Sequence, residues 1–149
     1  MKTIALRVGL IAAVGVGALI LRPFLSGNVG ELKVGECFDV PTSTETVEDI
    51  QHHPCTDAHG GEVFFVGTHA AAKDAPYPVD TVLTGEIEGA CTPAFNAYTG
   101  LDALTDPAWT FGYFYPLQQG WEDDDERGFI CYATRVDEAP TNTSIKKAA

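Results

Sequence analysis

The sequence has few positive charges after its first 26 residues. It contains 9 Lys and Arg residues against 21 Asp and Glu residues, a net charge of −12. Lys2, Arg7 and Arg22 account for three of the bases, whereas every acid follows residue 30. A body this acidic repels phosphate backbones and anionic lipid headgroups, so its charge argues against nucleic-acid binding and against adsorption to an anionic membrane.

The common signatures of catalysis and metal binding are also missing. The chain has no HExxH, no paired CxxC, no GxSxG and no DxDxDG pattern. It has no internal repeat and only one long apolar run, which excludes a solenoid and a polytopic membrane protein. With 149 residues, it has the length of one domain with an appendage. We therefore predict that the protein is not an enzyme and carries no cofactor.

The single apolar run lies near the N-terminus, from Val8 to Leu21, and follows a short basic segment. This order is typical of an export signal. We expect residues 1–25 to be an uncleaved signal anchor that crosses the membrane once. The alternatives are secretion after signal cleavage and a buried cytosolic helix. Lys2 and Arg7 favour a cytoplasmic N-terminus, which places the acidic body outside the cytoplasm.

Four cysteines, all outside the apolar run, indicate an oxidising compartment. They are Cys37, Cys55, Cys91 and Cys131. In an exported domain, an even number of cysteines without a CxxC pair predicts two disulfides. Three pairings are possible, and the sequence leaves them open. Sequential pairing closes the shortest loops.

The pattern of apolar residues predicts an α+β domain over residues 32–137, after a linker at 26–31. Segments rich in β-branched and aromatic residues predict strands at 32–40, 62–69, 109–115 and 128–136. Helical spacing of apolar residues predicts a helix between 79 and 98, with either a kink at Pro93 or a second short helix beginning there. The fold class is a small antiparallel sheet with one packed helix and two disulfides. Residues 138–149 show no periodicity, which predicts a disordered tail.

A cluster of potential metal ligands occupies residues 52–62. Zinc could draw on His53, Cys55, His59 and Glu62, whose side chains are its usual ligand types. A disulfide at Cys55 would remove that thiolate, so we predict no metal. Metal or ligand sensing by His53, His59 and Glu62 is the alternative function. A Cys–His nucleophile pair is disfavoured, because it needs a free thiolate.

A run of five acids, Glu122–Glu126, predicts a solvated loop between strands. Calcium loops need spaced oxygen ligands and a tight glycine turn, and this run has neither. The run could instead form an anionic docking patch for a basic partner. The candidate partner surface consists of Trp121, Glu122, Asp123, Asp124 and Asp125.

Aromatic residues alternate along the strand predicted at 109–115. Trp109, Phe111, Tyr113 and Tyr115 share one face of it. This face either packs in the core against the helix or stacks on sugar rings of a cell-wall polymer. Core packing is the more common role for such a face.

Four short words built around the cysteines resemble those of a known family. They lie at residues 34–39 (VGECFD), 54–63 (PCTDAHGGEV), 91–100 (CTPAFNAYTG) and 116–131, which runs from Pro116 through Trp121 and Arg127 to Cys131. In this order, they resemble the bacterial septum-formation domain family over about residues 32–136.

The resemblance implies an extracytoplasmic module that takes part in septum or envelope assembly and does not catalyse a reaction. It implies that the four cysteines form the disulfide framework, and that His59, Glu62, Trp121 and Arg127 are signature positions without an assigned role. We therefore expect a membrane-tethered interaction module. Its partner would be a division protein, an envelope protein or a cell-wall polymer.

Overall fold

A five-stranded antiparallel sheet organises the chain, and the computed structural model describes residues 27–42 and 49–149 of it. The strand order is β4-β2-β5-β7-β6. The strands are β2 Cys37–Phe38, β4 His52–His53, β5 Gly61–Thr68, β6 Trp109–Phe114 and β7 Gly128–Arg135. The signal anchor predicted at 1–25 lies outside the described residues. Within the described part of the chain, no helix is long and apolar enough to cross a membrane.

The three longest strands confirm the sequence prediction. β5, β6 and β7 each begin and end within one residue of the expected bounds, and β6 and β7 form an antiparallel pair. The strand expected at 32–40 is reduced to two residues. Gly35, with φ 91°, lies in the left-handed region, so the chain cannot remain extended there.

The predicted linker at 26–31 is largely part of the folded body. β1, Gly27–Asn28, pairs with β3, Asp49–Ile50, in a small separate sheet. A 3₁₀ turn follows at Val29–Glu31, capped by the side chain of Asn28. The prediction of a linker is therefore wrong for residues 27–31, because a short Gly/Asn segment can pair with a distant strand that its own pattern does not show.

One long helix, α1, extends from Asp80 to Thr99 and contains Pro93 within it. Proline removes one intrahelical donor and crowds the carbonyl of the residue four positions earlier. Here that residue is Gly89, which is solvent-exposed. α1 is therefore one helix rather than two. It ends at Gly100, which has a φ of 77°, and a glycine in this left-handed conformation commonly ends a helix.

The hydrophobic core has two parts, one on each face of the sheet. Between α1 and the sheet, Leu83, Ile87, Cys91 and Phe95 of the helix are fully buried. Their four-residue spacing places them on the side of α1 that faces the sheet. On the opposite face of the sheet, a smaller cluster contains Leu32, Phe38, Ile50, Val63 and Ile130.

Two disulfides connect the elements of this fold, as predicted. Cys37 pairs with Cys55, which ties β2 to the turn that follows β4. Cys91 pairs with Cys131, which ties α1 to β7. The pairing is the sequential one among the three that the sequence left open.

The C-terminal segment, residues 138–149, is not a disordered tail. The backbones of Thr141 and His59 exchange two hydrogen bonds of 2.8 and 2.9 Å. Further along, Lys147 N–H donates to the carbonyl of Tyr98 at 3.0 Å. The prediction of disorder is wrong here because isolated hydrogen bonds, together with packing of Ile145 against the core, hold the segment without a periodic pattern.

Candidate functional site

A buried carboxylate, that of Glu62, organises one end of the domain. Its side chain is 3% exposed and projects from β5. Oε1 accepts hydrogen bonds from the hydroxyls of Tyr98 at 2.6 Å and Ser144 at 2.7 Å. Oε2 accepts one from the N–H of Ile145 at 2.8 Å. This carboxylate therefore joins β5, α1 and the C-terminal segment, and all three contacts supply donors to it.

This environment raises the pKa of the Tyr98 hydroxyl. Burial raises the pKa of its hydroxyl above the usual 10.0, and the adjacent Glu62 raises it further. The hydroxyl therefore remains a donor at physiological pH and above. A proton at this position keeps the Tyr98–Glu62 contact favourable.

His59 lies beside the same end of β5 and is 1% exposed. Its Nδ1 lies 2.8 Å from the carbonyl oxygen of Asp57. A carbonyl only accepts hydrogen bonds, so Nδ1 donates and Nε2 has no hydrogen when the ring is neutral. The histidine thus closes the turn that precedes β5, while its backbone holds Thr141.

Two of the four candidate metal ligands, Cys55 and Glu62, lie close together, but the histidines do not join them. His53 Nε2 lies 2.9 Å from Asp39 Oδ2, and β2 lies between the strands of His53 and Glu62. In residues 27–42 and 49–149, the one group with metal-ligand spacing is Cys37, Cys55 and Glu62. Both of its cysteines belong to a disulfide, so neither supplies a thiolate. The described structure does not assemble the histidine–glutamate site that the sequence offered as an alternative.

Arg127 and Trp121 form a second buried polar cluster at the opposite end of β5. The guanidinium carbon of Arg127 lies 3.8 Å from the centroid of the Trp121 ring. Nη1 donates to the carbonyls of Trp121 and Glu126, both at 2.9 Å. Nη2 donates to the carbonyls of Ala72 at 3.2 Å and Lys73 at 2.7 Å. Arg127 thereby fixes the loop after β5 against the segment before β7.

His69, which no sequence motif indicated, completes this second cluster. It is 6% exposed, and its ring packs against Trp121 and Phe129 at centroid distances of 5.7 and 5.0 Å. Its Nδ1 lies 3.0 Å from Oε2 of Glu86 on α1. Only its position at the end of β5 could have indicated that it is buried.

The acidic run differs from its prediction in two respects. Gln118–Asp123 forms a short helix, α2, where a loop was expected. Trp121, at 2% exposure, is buried and cannot belong to a partner surface. The loop was expected because the local composition is polar, but the Trp121 ring anchors this stretch to the core. The remaining members of the candidate surface, residues 122–125, are exposed.

The aromatic face of β6 packs mainly in the core. The Phe111 ring contacts those of Phe64 and Phe95 at centroid distances of 6.0 and 6.1 Å. Trp109 and Tyr113 pack against the same cluster. Tyr115 follows the end of the strand and is 40% exposed. Core packing therefore accounts for three of the four aromatic residues.

Comparison with models of protein families shows which family the chain belongs to. The family model described as "Septum formation" matches residues 34–149, which include both disulfides and the C-terminal segment. The chain belongs to the septum formation family. No curated protein and no solved structure matches it. The resemblance inferred from the four cysteine-centred words is thereby confirmed.

Within this member of the septum formation family, the four signature positions lie in the two buried polar clusters. His59 and Glu62 hold the C-terminal segment, and Trp121 and Arg127 hold the loop after β5. The sequence identified these residues but missed the donors to Glu62 from Tyr98 and Ser144. Those partners are 36 and 82 residues away along the chain, so no local pattern connects them to Glu62.

Proposed function

We propose that this protein is a non-enzymatic, membrane-tethered interaction module that acts outside the cytoplasm in septum formation or envelope assembly. Membership of the septum formation family supports the biological process. The export-type N-terminal sequence supports the tether and the compartment. The partner would be a protein or a polymer of the division machinery or the envelope.

The observation that carries the proposal is the pair of disulfides. Cys91 and Cys131 are both 0% exposed and lie between α1 and β7, within the core. Disulfides persist in oxidising compartments and are rare in the cytosol. A disulfide in this position is part of the folded core, so the domain is suited to a site outside the cytoplasm.

The use of the signature residues supports binding rather than catalysis. Glu62 accepts three hydrogen bonds and Arg127 donates four within the chain, and these contacts connect segments that are distant in sequence. Groups engaged in this way stabilise a shape. We therefore propose that the module acts through the surface that these clusters hold in place.

A complementation experiment in the native host tests the proposal. The chromosomal copy is deleted, and cell length and septum frequency are measured under envelope stress. We expect the full chain to restore division, whereas a version lacking residues 1–26 and a C91S/C131S version should fail. A Glu31→Gln version provides the control, since that residue is exposed and lies outside both polar clusters and the acidic run.

Two results would overturn the proposal. One is normal division and envelope integrity in the deletion strain. The other is a body that resists protease added to spheroplasts but is digested after lysis, because that pattern places it in the cytoplasm.

A further inference from the structure

β6 forms an open edge of the sheet. In the described parts of the chain, it pairs with β7 alone. Val136 N–H donates to the carbonyl of Ala108, and the register pairs Thr110 with Thr134. In an antiparallel ladder, the residues between these pairs direct their peptide groups away from the partner strand. The backbone groups of Phe111 and Tyr113 therefore face outward from the sheet.

The composition of this edge is unusual for a strand left open. Residues 109–114 (WTFGYF) contain no charged side chain. Proteins normally protect open edges with lysine, an inward-pointing charge, a bulge or a covering segment. Pro107 and Pro116 limit the length of the edge, and no described residue forms a backbone hydrogen bond with the outward groups of Phe111 and Tyr113. An uncharged aromatic edge of this kind favours pairing with another extended chain.

Acidic and tyrosine side chains border one end of the edge. The Tyr113 hydroxyl donates to Oε1 of Glu88 at 3.2 Å, and the rings of Tyr113 and Tyr115 are 6.0 Å apart. Glu88 is exposed on α1 beside Tyr113, and Asp80, also exposed, lies at the start of α1 near Tyr77. Carboxylates next to tyrosine rings attract the side chains of lysine and arginine.

The cation at the other end of β6, Arg135, is already paired with an acid. Its guanidinium lies over the Trp109 ring at 5.9 Å, while its Nε and Nη2 donate to the carboxylate of Asp137 at 2.8 and 2.6 Å. The edge thus combines open backbone groups with a local excess of negative charge. The local charge has the same negative sign as the net charge of the whole chain, which is −12.

We propose that β6 is the docking strand for an extended basic segment of a partner protein, which adds to the sheet at this edge and places a lysine or arginine against Glu88 and Tyr113. The inference rests on the proposed function, because it names the chemistry of the partner that the module binds. Backbone pairing would supply affinity, and the acidic side chains would select a basic sequence.

A second copy of this chain fits the edge less well. Pairing of two β6 edges would bring together two acidic bodies, each with Glu88 beside the new strand pair. Like charges placed side by side oppose association. A foreign basic strand meets no such repulsion.

Amide hydrogen exchange on the full chain tests the site without a mutation. The probe is a short synthetic peptide in which lysine alternates with valine. We expect saturating peptide to slow exchange at the amides of Phe111 and Tyr113 by at least about tenfold, and to leave the amides of Thr110 and Gly112, which already face β7, unchanged. Protection confined to residues 118–127 would overturn the proposal, because the acidic run would then be the binding site.

Binding measurements separate backbone pairing from simple charge attraction. A peptide with the same sequence and charge, but with alternate backbone nitrogens methylated, cannot pair along one edge. We expect its Kd to be at least about tenfold weaker than that of the unmodified peptide. Equal affinities would overturn the proposal, as would concentration-dependent dimerisation through β6 that the peptide fails to displace.

Variants locate the charge that selects the partner. Glu88→Lys should weaken binding of the lysine–valine peptide about fivefold at low salt, whereas Glu122→Lys, which changes the net charge equally, should have little effect. The reverse order would contradict the proposal. All three measurements use the purified chain, so failure of the peptide to bind is distinct from failure of complementation in cells.

Discussion

The hydroxyl of Tyr98 donates a hydrogen bond of 2.6 Å to Oε1 of Glu62, which joins the C-terminal half of α1 to the beginning of β5. The same carboxylate oxygen accepts from Ser144 and thereby retains the C-terminal segment. A single buried charge thus connects three parts of the chain. Its removal should loosen all three together.

Replacing Glu62 with glutamine should destabilise the domain. The amide nitrogen of glutamine would face a donor, because all three partners of Glu62 donate to it. We expect a loss of about 2 kcal/mol in the free energy of unfolding. Urea denaturation of the disulfide-bonded protein measures this loss, with the exposed Glu122→Gln as the matched control. Equal stability of the two variants would show that Glu62 does not organise the fold.

High pH should weaken the contribution of Tyr98. Its pKa is raised in the folded state, so above pH 10 the unfolded chain loses this proton before the folded chain does. The stabilisation is complete below pH 10 and declines as the pH rises toward the folded pKa. Tyr98→Phe should therefore cost about 1 kcal/mol at pH 7 and less at pH 11. A difference that stays constant between those pH values would contradict this assignment.

The two disulfides should contribute unequally to stability. Cys91–Cys131 closes a loop of 40 residues and Cys37–Cys55 one of 18. Loop entropy gives about 4 and about 3 kcal/mol, respectively. We expect the C91S/C131S variant to lose more than the C37S/C55S variant, and the buried position of the first pair should widen the gap. Thermal unfolding of both double variants checks this order. A larger loss of stability in the C37S/C55S variant would contradict it.

Arg127 should not be replaceable by lysine. Its guanidinium donates to four carbonyls while lying over the Trp121 ring, and a lysine ammonium has only three donors and no planar face. We expect Arg127→Lys to cost about 3 kcal/mol in unfolding free energy. Arg135→Lys, at a partly exposed arginine paired with Asp137, is the control and should cost much less, because exposed ion pairs contribute little. Equal costs would argue against a structural role for Arg127.

The sequence predicted those features of the fold that depend on local pattern. Alternating aromatic residues placed β6 correctly, and helical spacing of apolar residues placed the buried side of α1, although Val79 and Val82 of that pattern are exposed. Sequential cysteine pairing was one of three possibilities, and the structure selected it. The helix at Gln118–Asp123 was missed because its packing depends on one tryptophan that contacts a distant loop.

The candidate site was harder to predict, because its contacts span long sequence separations. Glu62 stood out as a signature position, but nothing near it indicated that Ser144 would supply a donor. For the same reason, the C-terminal segment looked disordered, although its hydrogen bonds go to His59, Glu62 and Tyr98. A linear pattern cannot show that His53 faces Asp39 rather than Glu62.

The intact mass of the chain, acid-quenched directly from the native host, tests the central claim of an exported, disulfide-bonded module most directly. Each disulfide removes two hydrogens, so two bridges make the chain about 4 Da lighter than its reduced form. We predict this deficit in protein recovered from the membrane fraction, with residues 1–25 retained. A full thiol mass, or a chain recovered only from the cytosol, would contradict the account.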